Sequence, residues 1–286
     1  MASVQQIKRR ITSVKSTRQI TKAMQLVAAS KLRRAQTAAE QPRVYSETAR
    51  HLLAQLKQQT DQNAHAFFKE RPIKNRTLIV ITSDRGLAGA YNSNVLKKLV
   101  EQLKKDSASG VKTKLFLVGR QAAKFVARLK DIEVSGVFQD VTEAAHRNEL
   151  RALISGAFDA FNADQTDSVE IVYTHFISTV TQQVRIKQLL PITKPETEEK
   201  FTPIEFEPSV GFVLDQTVLR LIEVQVFQAM LDGFASEHSM RMLAMKNATD
   251  NAGELADDLT LVYNNARQAG ITQELAEITG GAEAMK

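Results

Sequence analysis

Along the last part of the chain, Val224, Phe227, Leu231, Phe234, His238, Arg241, Met245, Ala248, Ala252, Leu255, Leu259, Val262, Ala266 and Ala269 follow one another at steps of three or four, and 12 of these 14 positions are apolar. A heptad seam held over 46 residues would run about 69 Å at 1.5 Å per residue. That length predicts an extended coiled-coil helix rather than one member of a compact bundle. No proline interrupts it, and Gly233 and Gly253 weaken it only locally.

The N-terminal segment is also predicted helical, with a stripe that changes face. Ile7, Ile11 and Val14 keep the spacing, as do Ile20, Met24 and Val27, but Val14 to Ile20 is a step of six. Such a step turns the apolar face by about a third of a turn. Helix formers continue through Lys31–Gln41, and beyond Pro42 the positions Val44, Leu52, Leu53 and Leu56 extend the helix to about Lys57.

A different pattern lies between these helices. Thr77–Thr82, Lys114–Gly119 and Ser168–Phe176 are near-continuous apolar runs that read as strands, and Val184–Ile192 adds an edge strand. Amphipathic stretches at Asn92–Lys105, Arg120–Leu129 and Thr142–Phe161 alternate with them. Buried strands interleaved with helices predict a parallel sheet covered on both faces. Pro195, Pro203 and Pro208, with several glutamates, mark Thr193–Pro208 as a connection back to the last helix.

Composition changes this picture in two ways. The chain has no cysteine, which excludes disulfides, thiolate metal sites and cysteine nucleophiles. Its net charge of +6 is unevenly spread: residues 1–39 hold nine bases and no acid, whereas 209–286 hold 11 acids and 5 bases. The two ends are complementary and are expected to pair with each other. A basic N-terminal helix also motivates a nucleic-acid reading, but no aromatic interleaving or recognised module supports it. No apolar run reaches the roughly 20 residues of a membrane-spanning helix.

The best candidate for phosphate chemistry is the turn Asp84-Arg85-Gly86-Leu87-Ala88-Gly89-Ala90-Tyr91-Asn92, which follows a strand and precedes a helix. Its glycines are spaced GxxG, however, and no GK[ST] follows, so neither nucleotide fingerprint is met. A tight turn with Asn92 as helix N-cap accounts for these residues more simply. His51, His65, His146, His175 and His238 show no metal-ligand spacing; His146 and Glu149 lie three apart without companions. An α/β enzyme therefore finds little support, and no catalytic, cofactor or metal residue is assigned.

Four blocks carry a resemblance. Ala266-Arg267-Gln268-Ala269-Gly270-Ile271-Thr272-Gln273-Glu274-Leu275-Ala276-Glu277-Ile278-Thr279-Gly280-Gly281 resembles the signature of the gamma subunits of F-type ATP synthases, ITxExxEIxxG. Ile20–Lys31, Ser83–Gly89 and Met245–Ala252 are similar to other motifs of that family, with Ala88 where many relatives carry cysteine. The regulatory cysteine-bearing insert of the chloroplast relatives is absent. The family pattern begins at Met1, so a bacterial chain is expected.

The resemblance implies a fold in which 1–57 and 209–286 form a long antiparallel coiled coil, 73–195 an inserted Rossmann-like α/β domain, and 196–208 the connection. Residues near Met24 and near Val262 are expected to face each other across it. The resemblance further implies a non-catalytic central-stalk rotor inside a hexamer of three alpha and three beta subunits. Epsilon and the membrane c-ring are the other implied partners, with peripheral attachment at the cytoplasmic face of the bacterial membrane and no nucleic acid or cofactor. By motif position, Lys22, Met24, Arg267, Gln268, Thr272 and Glu274 correspond to residues facing beta; packing within the shaft competes with that role, above all for Met24.

Overall fold

The structure is a computed structural model that describes residues 4–59, 66–129, 132–141, 147–192, 207 and 209–283. Its elements in order are helix α1 (Val4–Gln59), a single 3-10 turn (Ala66–Phe68), β1 (Asn75–Ile81), α2 (Tyr91–Ala108), β2 (Lys112–Val118) and α3 (Arg120–Val126). There follow β3 (Glu133–Phe138), α4 (Arg147–Asn162), β4 (Ser168–Phe176), β5 (Gln182–Leu190) and α5 (Val210–Glu283). The chain packs as two compact units, one of residues 1–28 with 241–286 and the other of residues 29–240.

The unit of residues 29–240 is built on a five-stranded sheet in the order β3-β2-β1-β4-β5. β1 pairs parallel with β2 and β4, β2 parallel with β3, and β5 antiparallel with β4. Its central strands are continuous apolar runs because helices cover both faces. Alternate residues feed two separate cores. Leu78, Val80, Leu115 and Leu117 pack with Val95, Leu99 and Val126 under α2 and α3. Ile79, Ile81, Phe116 and Val118 join Phe158, Phe161, Leu221, Ile222 and Val226 on the opposite face, with Leu53 and Leu56 of α1.

The expected strands and interleaved helices are present, with shifted ends. β3 is the addition. Glu133-Val134-Ser135-Gly136-Val137-Phe138 carries no apolar run because it is an edge strand with Val134 and Val137 exposed. Its register slips between Leu115 and Phe116, and a Cβ on Gly136 would sit 3.0 Å from the Phe116 ring. Thr142–His146, residues 193–206 with Pro195 and Pro203, and Pro208 lie outside the described residues, as does His65.

The unit of residues 1–28 and 241–286 is an antiparallel pair of helices from α1 and α5. Thr21 Oγ1 and Thr249 Oγ1 are 2.8 Å apart. Nearer the N-terminus of α1, the Arg18 guanidinium lies over Gly253, with Cζ 3.3 Å from where a Cβ would stand. Increasing number on one helix thus meets decreasing number on the other. By that register Met24 falls opposite Lys246, so the expected pairing of Met24 with Val262 is replaced.

The seam itself differs from the apolar reading. On α5 the buried positions are Met245, Thr249, Ala252, Gly253 and Ala256, whereas Leu255 and Val262 are 49% and 50% exposed. Small residues and a threonine let the backbones approach closely, and the larger apolar side chains turn outward. On α1, Ile7, Ile11, Val14, Thr21, Gln25 and Ala28 are buried or half-buried, and the exposed Arg18 completes an unbroken heptad spacing, while Ile20 and Val27 are exposed. The step of six after Val14 is therefore not a break in the seam: polar residues hold the intervening positions.

Candidate subunit interface

The six candidate interface residues lie on two stretches of the helical pair. Lys22 is exposed and donates to Gln25 Oε1 at 3.3 Å, and Met24 is half-buried. Arg267, Gln268, Thr272 and Glu274 are all exposed. The Thr272 hydroxyl donates to the Gln268 carbonyl at 3.0 Å, which places these two on one face, one turn apart. In the antiparallel register Lys22 and Met24 stand across from Lys246–Ala248, about 30 Å along the helix from Arg267 at 1.5 Å per residue. The structure therefore brings together the four residues near the end of α5 and keeps Lys22 and Met24 apart from them.

The nine bases of residues 1–39 are exposed, and among the described residues none of Lys8, Arg9, Arg10, Lys15, Arg18 or Lys22 has a carboxylate within 4.0 Å. The expected complementarity of the two ends is thus not realised as contact ion pairs among the described residues. Packing at the seam holds the helices together, and the basic side chains face outward. Apolar residues outside the seam are outward too: Leu26 and Ile20 on α1, and Ile271, Leu275 and Ile278 on α5. The last three recur at steps of four and three and form a stripe of their own.

In the other unit, the turn after β1 is held by Asn92 rather than capped by it. The residue that caps α2 is Ala90, with no side-chain hydrogen bond. Asn92 instead accepts from the Ser83 backbone N–H through Oδ1 at 3.0 Å and donates from Nδ2 to Ser83 Oγ at 2.8 Å. Its amide therefore ties the end of β1 to the first turn of α2. Leu87 at φ 61° and Gly89 at φ 54° make the left-handed bends between them. Gly119, at φ 92°, closes the end of β2 so tightly that a Cβ would stand 2.3 Å from the Thr82 carbonyl oxygen.

Strand order reverses between β1 and β4, and the crevice at their carboxyl ends is where such sheets hold ligands. Here α5 lies across it. A Cβ on Gly233 would be 3.2 Å from both Ile81 Cγ2 and Tyr91 Oη. The Ser236 hydroxyl donates to the Thr174 carbonyl at 3.3 Å, and the Ser239 hydroxyl to the Thr179 carbonyl at 2.7 Å. Asp232 Oδ2 lies 2.6 Å from His175 Nδ1, and Gln228 donates to its other oxygen at 3.1 Å. Burial, and then the Asp232 carboxylate, push the nearby Tyr173 hydroxyl above its ordinary pKa of 10.0, against a smaller opposing pull from Arg185. None of these α5 contacts was marked by a motif. Serines and an aspartate inside an apolar helix, at Asp232, Ser236 and Ser239, are the signal that would have shown them.

Among the described residues no group of three or more His, Cys, Asp or Glu could hold a metal ion. His146 and the Glu149 side chain lie outside the described set, His51 is exposed, and His238 is buried.

A family model described as ATP synthase matches residues 3–285. Proteins named ATP synthase gamma chain from Ralstonia nicotianae and Stenotrophomonas maltophilia are 39% and 40% identical, each over the whole of both chains. The fold is similar to a chain in the mitochondrial ATP synthase central stalk and c-ring of Tetrahymena thermophila, at 24% identity and TM-score 0.60, covering 80% of this chain and 99% of that one. A chain of the Euglena gracilis mitochondrial OSCP/F1/c-ring assembly matches at 19% identity and TM-score 0.68, covering 99% and 94%.

Proposed function

The chain belongs to the ATP synthase gamma family, and from that premise we propose that it is the non-catalytic central-stalk rotor subunit of the F-type enzyme. In this role it couples proton flow through the membrane ring to ATP synthesis and hydrolysis at the beta subunits. The observation that carries the non-catalytic part is the occupation of the β1/β4 crevice by α5: the position where a doubly wound sheet would hold a substrate is taken by the chain's own helix.

The partners are the three alpha and three beta subunits, epsilon and the c-ring. The coiled coil of 1–57 and 209–286 is the shaft, 73–195 the inserted domain, and 196–208 the connection. Outward apolar residues beyond the seam, among them Ile20, Leu275 and Ile278, supply surface for a surrounding ring. Lys22, Met24, Arg267, Gln268, Thr272 and Glu274 face beta in this arrangement. The polar members form hydrogen bonds and ion pairs that change as the shaft turns. No helix among the described residues is long and apolar enough to cross a membrane, and the reading places the protein peripherally at the cytoplasmic face of the bacterial membrane, held there through the complex.

Reconstitution tests this function. Added to alpha and beta subunits, the chain completes a rotary ATPase, and a tagged chain copurifies with the remaining synthase subunits. Failure to assemble with alpha and beta, or ATP turnover by the chain alone, would overturn it.

A further inference from the structure

Because β4 returns directly as the antiparallel β5, no crossover helix follows to cover these two strands on the face that carries α2. A groove of about 300 Å³ lies there, at the carboxyl end of β4. α2 lines it with Asn94 and Lys97, β5 with Gln182 and Val184, and α5 with Met240. The body of α5 packs against the opposite face of the sheet.

Thr174 completes the lining. Val172 packs with Val95 and Leu99 of α2, and Thr174, two residues on, points to the same face. It is 2% exposed, and its Oγ1 has no hydrogen-bond partner among the described residues. A valine would fill the same space without a desolvated hydroxyl, which costs stability when left unbonded. Charge at the groove comes from α2. Lys98 Nζ lies 3.7 Å from Glu101 Oε2, so those two offset each other. Lys97 has no carboxylate within 4.0 Å, and the Asn94 amide no side-chain partner, among the described residues. One positive charge is left over.

We propose that this groove binds a small organic monoanion, a carboxylate with a hydroxyl or keto oxygen beside it and a short apolar branch. Lys97 and Asn94 answer the carboxylate with charge and N–H donors. Thr174 bonds the second oxygen, and its hydroxyl can either donate or accept. Val184 and Met240 take the branch. The volume stands at the lower end of small-molecule sites, roughly 300–1,000 Å³, which suits such a molecule and not a dinucleotide. Thr174 lies two residues beyond Val172, which pairs with Val80 of β1, so the groove opens where strand order reverses, the usual place for a ligand in such a sheet. Gln182 also donates to Ser239 Oγ of α5 at 3.3 Å, so an occupant touches the contacts that seat that helix. The proposal does not rest on the rotor reading.

The test uses the isolated full-length chain, titrated calorimetrically with α-hydroxyisocaproate, α-ketoisocaproate, isocaproate and α-hydroxyisocaproamide at matched ionic strength. Saturable binding is expected for at least one of the two oxygenated acids, and binding about tenfold or more weaker for isocaproate, which lacks the second oxygen, and for the amide, which lacks the charge. Thr174→Val should weaken the oxygenated acid about tenfold without lowering the thermal midpoint of the unliganded chain. Lys97→Gln should weaken it comparably, Lys97→Arg should largely retain it, and Lys104→Gln, elsewhere on α2, should change nothing. No saturable binding of either oxygenated acid, equal binding of isocaproate, or unchanged binding by the Thr174→Val and Lys97→Gln variants overturns the proposal.

Discussion

Thr249 Oγ1 lies 2.8 Å from Thr21 Oγ1, joining positions 228 residues apart in the chain. The Thr249 hydroxyl is also 2.7 Å from the Met245 carbonyl, and Thr21 Oγ1 is 3.1 Å from that of Arg18. Those two bonds lie within single helices and survive a slip, so the contact between the two hydroxyls is the part that depends on register: a slip of either helix loses it and sets each hydroxyl against small apolar neighbours.

Cysteines at Thr21 and Thr249 should therefore close an intrachain disulfide, in a chain that has no other cysteine to compete. Cysteines at Met24 and Val262 should not. Non-reducing gel mobility after mild oxidation reads both pairs, and bridging of the second pair in place of the first would discard this register.

The seam's small residues give a second expectation. Ala256 is 2% exposed, and Ala256→Leu should cost about 1–3 kcal/mol by forcing the helices apart. Leu255→Gln, on the outward face, should stay within about 0.5 kcal/mol. Denaturant melts of the isolated chain distinguish them, and the opposite ranking would restore the seam through Leu255.

Two glycines should respond in opposite directions. Gly119→Ala combines a φ of 92° with a clash against the Thr82 carbonyl, so strain alone should cost about 1–3 kcal/mol. Gly253→Ala meets only the flexible Arg18 side chain and should gain up to about 1 kcal/mol from helix propensity. Thermal unfolding of both variants checks the contrast.

Alkaline stability should depend on Tyr173. Its pKa is raised in the folded chain by burial and by Asp232, so the neutral phenol is the form that folding favours. That contribution is complete below the ordinary tyrosine pKa of 10.0 and is lost as pH rises through the folded value. Tyr173→Phe should make stability fall less steeply above pH 10 than in the parent, as followed by denaturant titrations across that range.

At the proposed beta-facing end of α5, Arg267→Ala or Gln268→Leu should leave the chain folded and assembled while lowering coupled ATP synthesis. Desolvated charge-assisted contacts contribute about 1.5–3 kcal/mol, enough for about a tenfold loss. Parental synthesis rates in both assembled variants would remove these residues from the torque path.

What was legible in the sequence followed from burial on a large scale. Leu78–Ile81 and Leu115–Val118 are apolar on both sides because two cores meet at the sheet, so their strands stood out. The exposed edge strand at Val134–Val137 had no such run. The heptad of α5 was visible, but its phase was not. Apolarity placed Ala248, Leu255 and Val262 on the seam beside Met245 and Ala252; close packing keeps Met245 and Ala252 but selects Thr249 and Ala256, and outward apolar residues at the same spacing mimic a seam. Asn92 was read by its local position at a helix start, whereas its partner, Ser83, is nine residues back. The six interface residues came from motif position, and nothing in local periodicity distinguishes them from other exposed side chains.

The crevice between β1 and β4 holds α5 by its hydroxyls and a carboxylate as well as by apolar contact. Apolar surfaces slide past one another at little cost, whereas the bonds of Ser236, Ser239 and Asp232 have direction and fail once the helix rolls by a fraction of a turn. The sheet therefore works as a keyway: it fixes the angle of α5 about its own long axis, and a twist applied to that stretch of helix is delivered to the strands instead of being lost as slip.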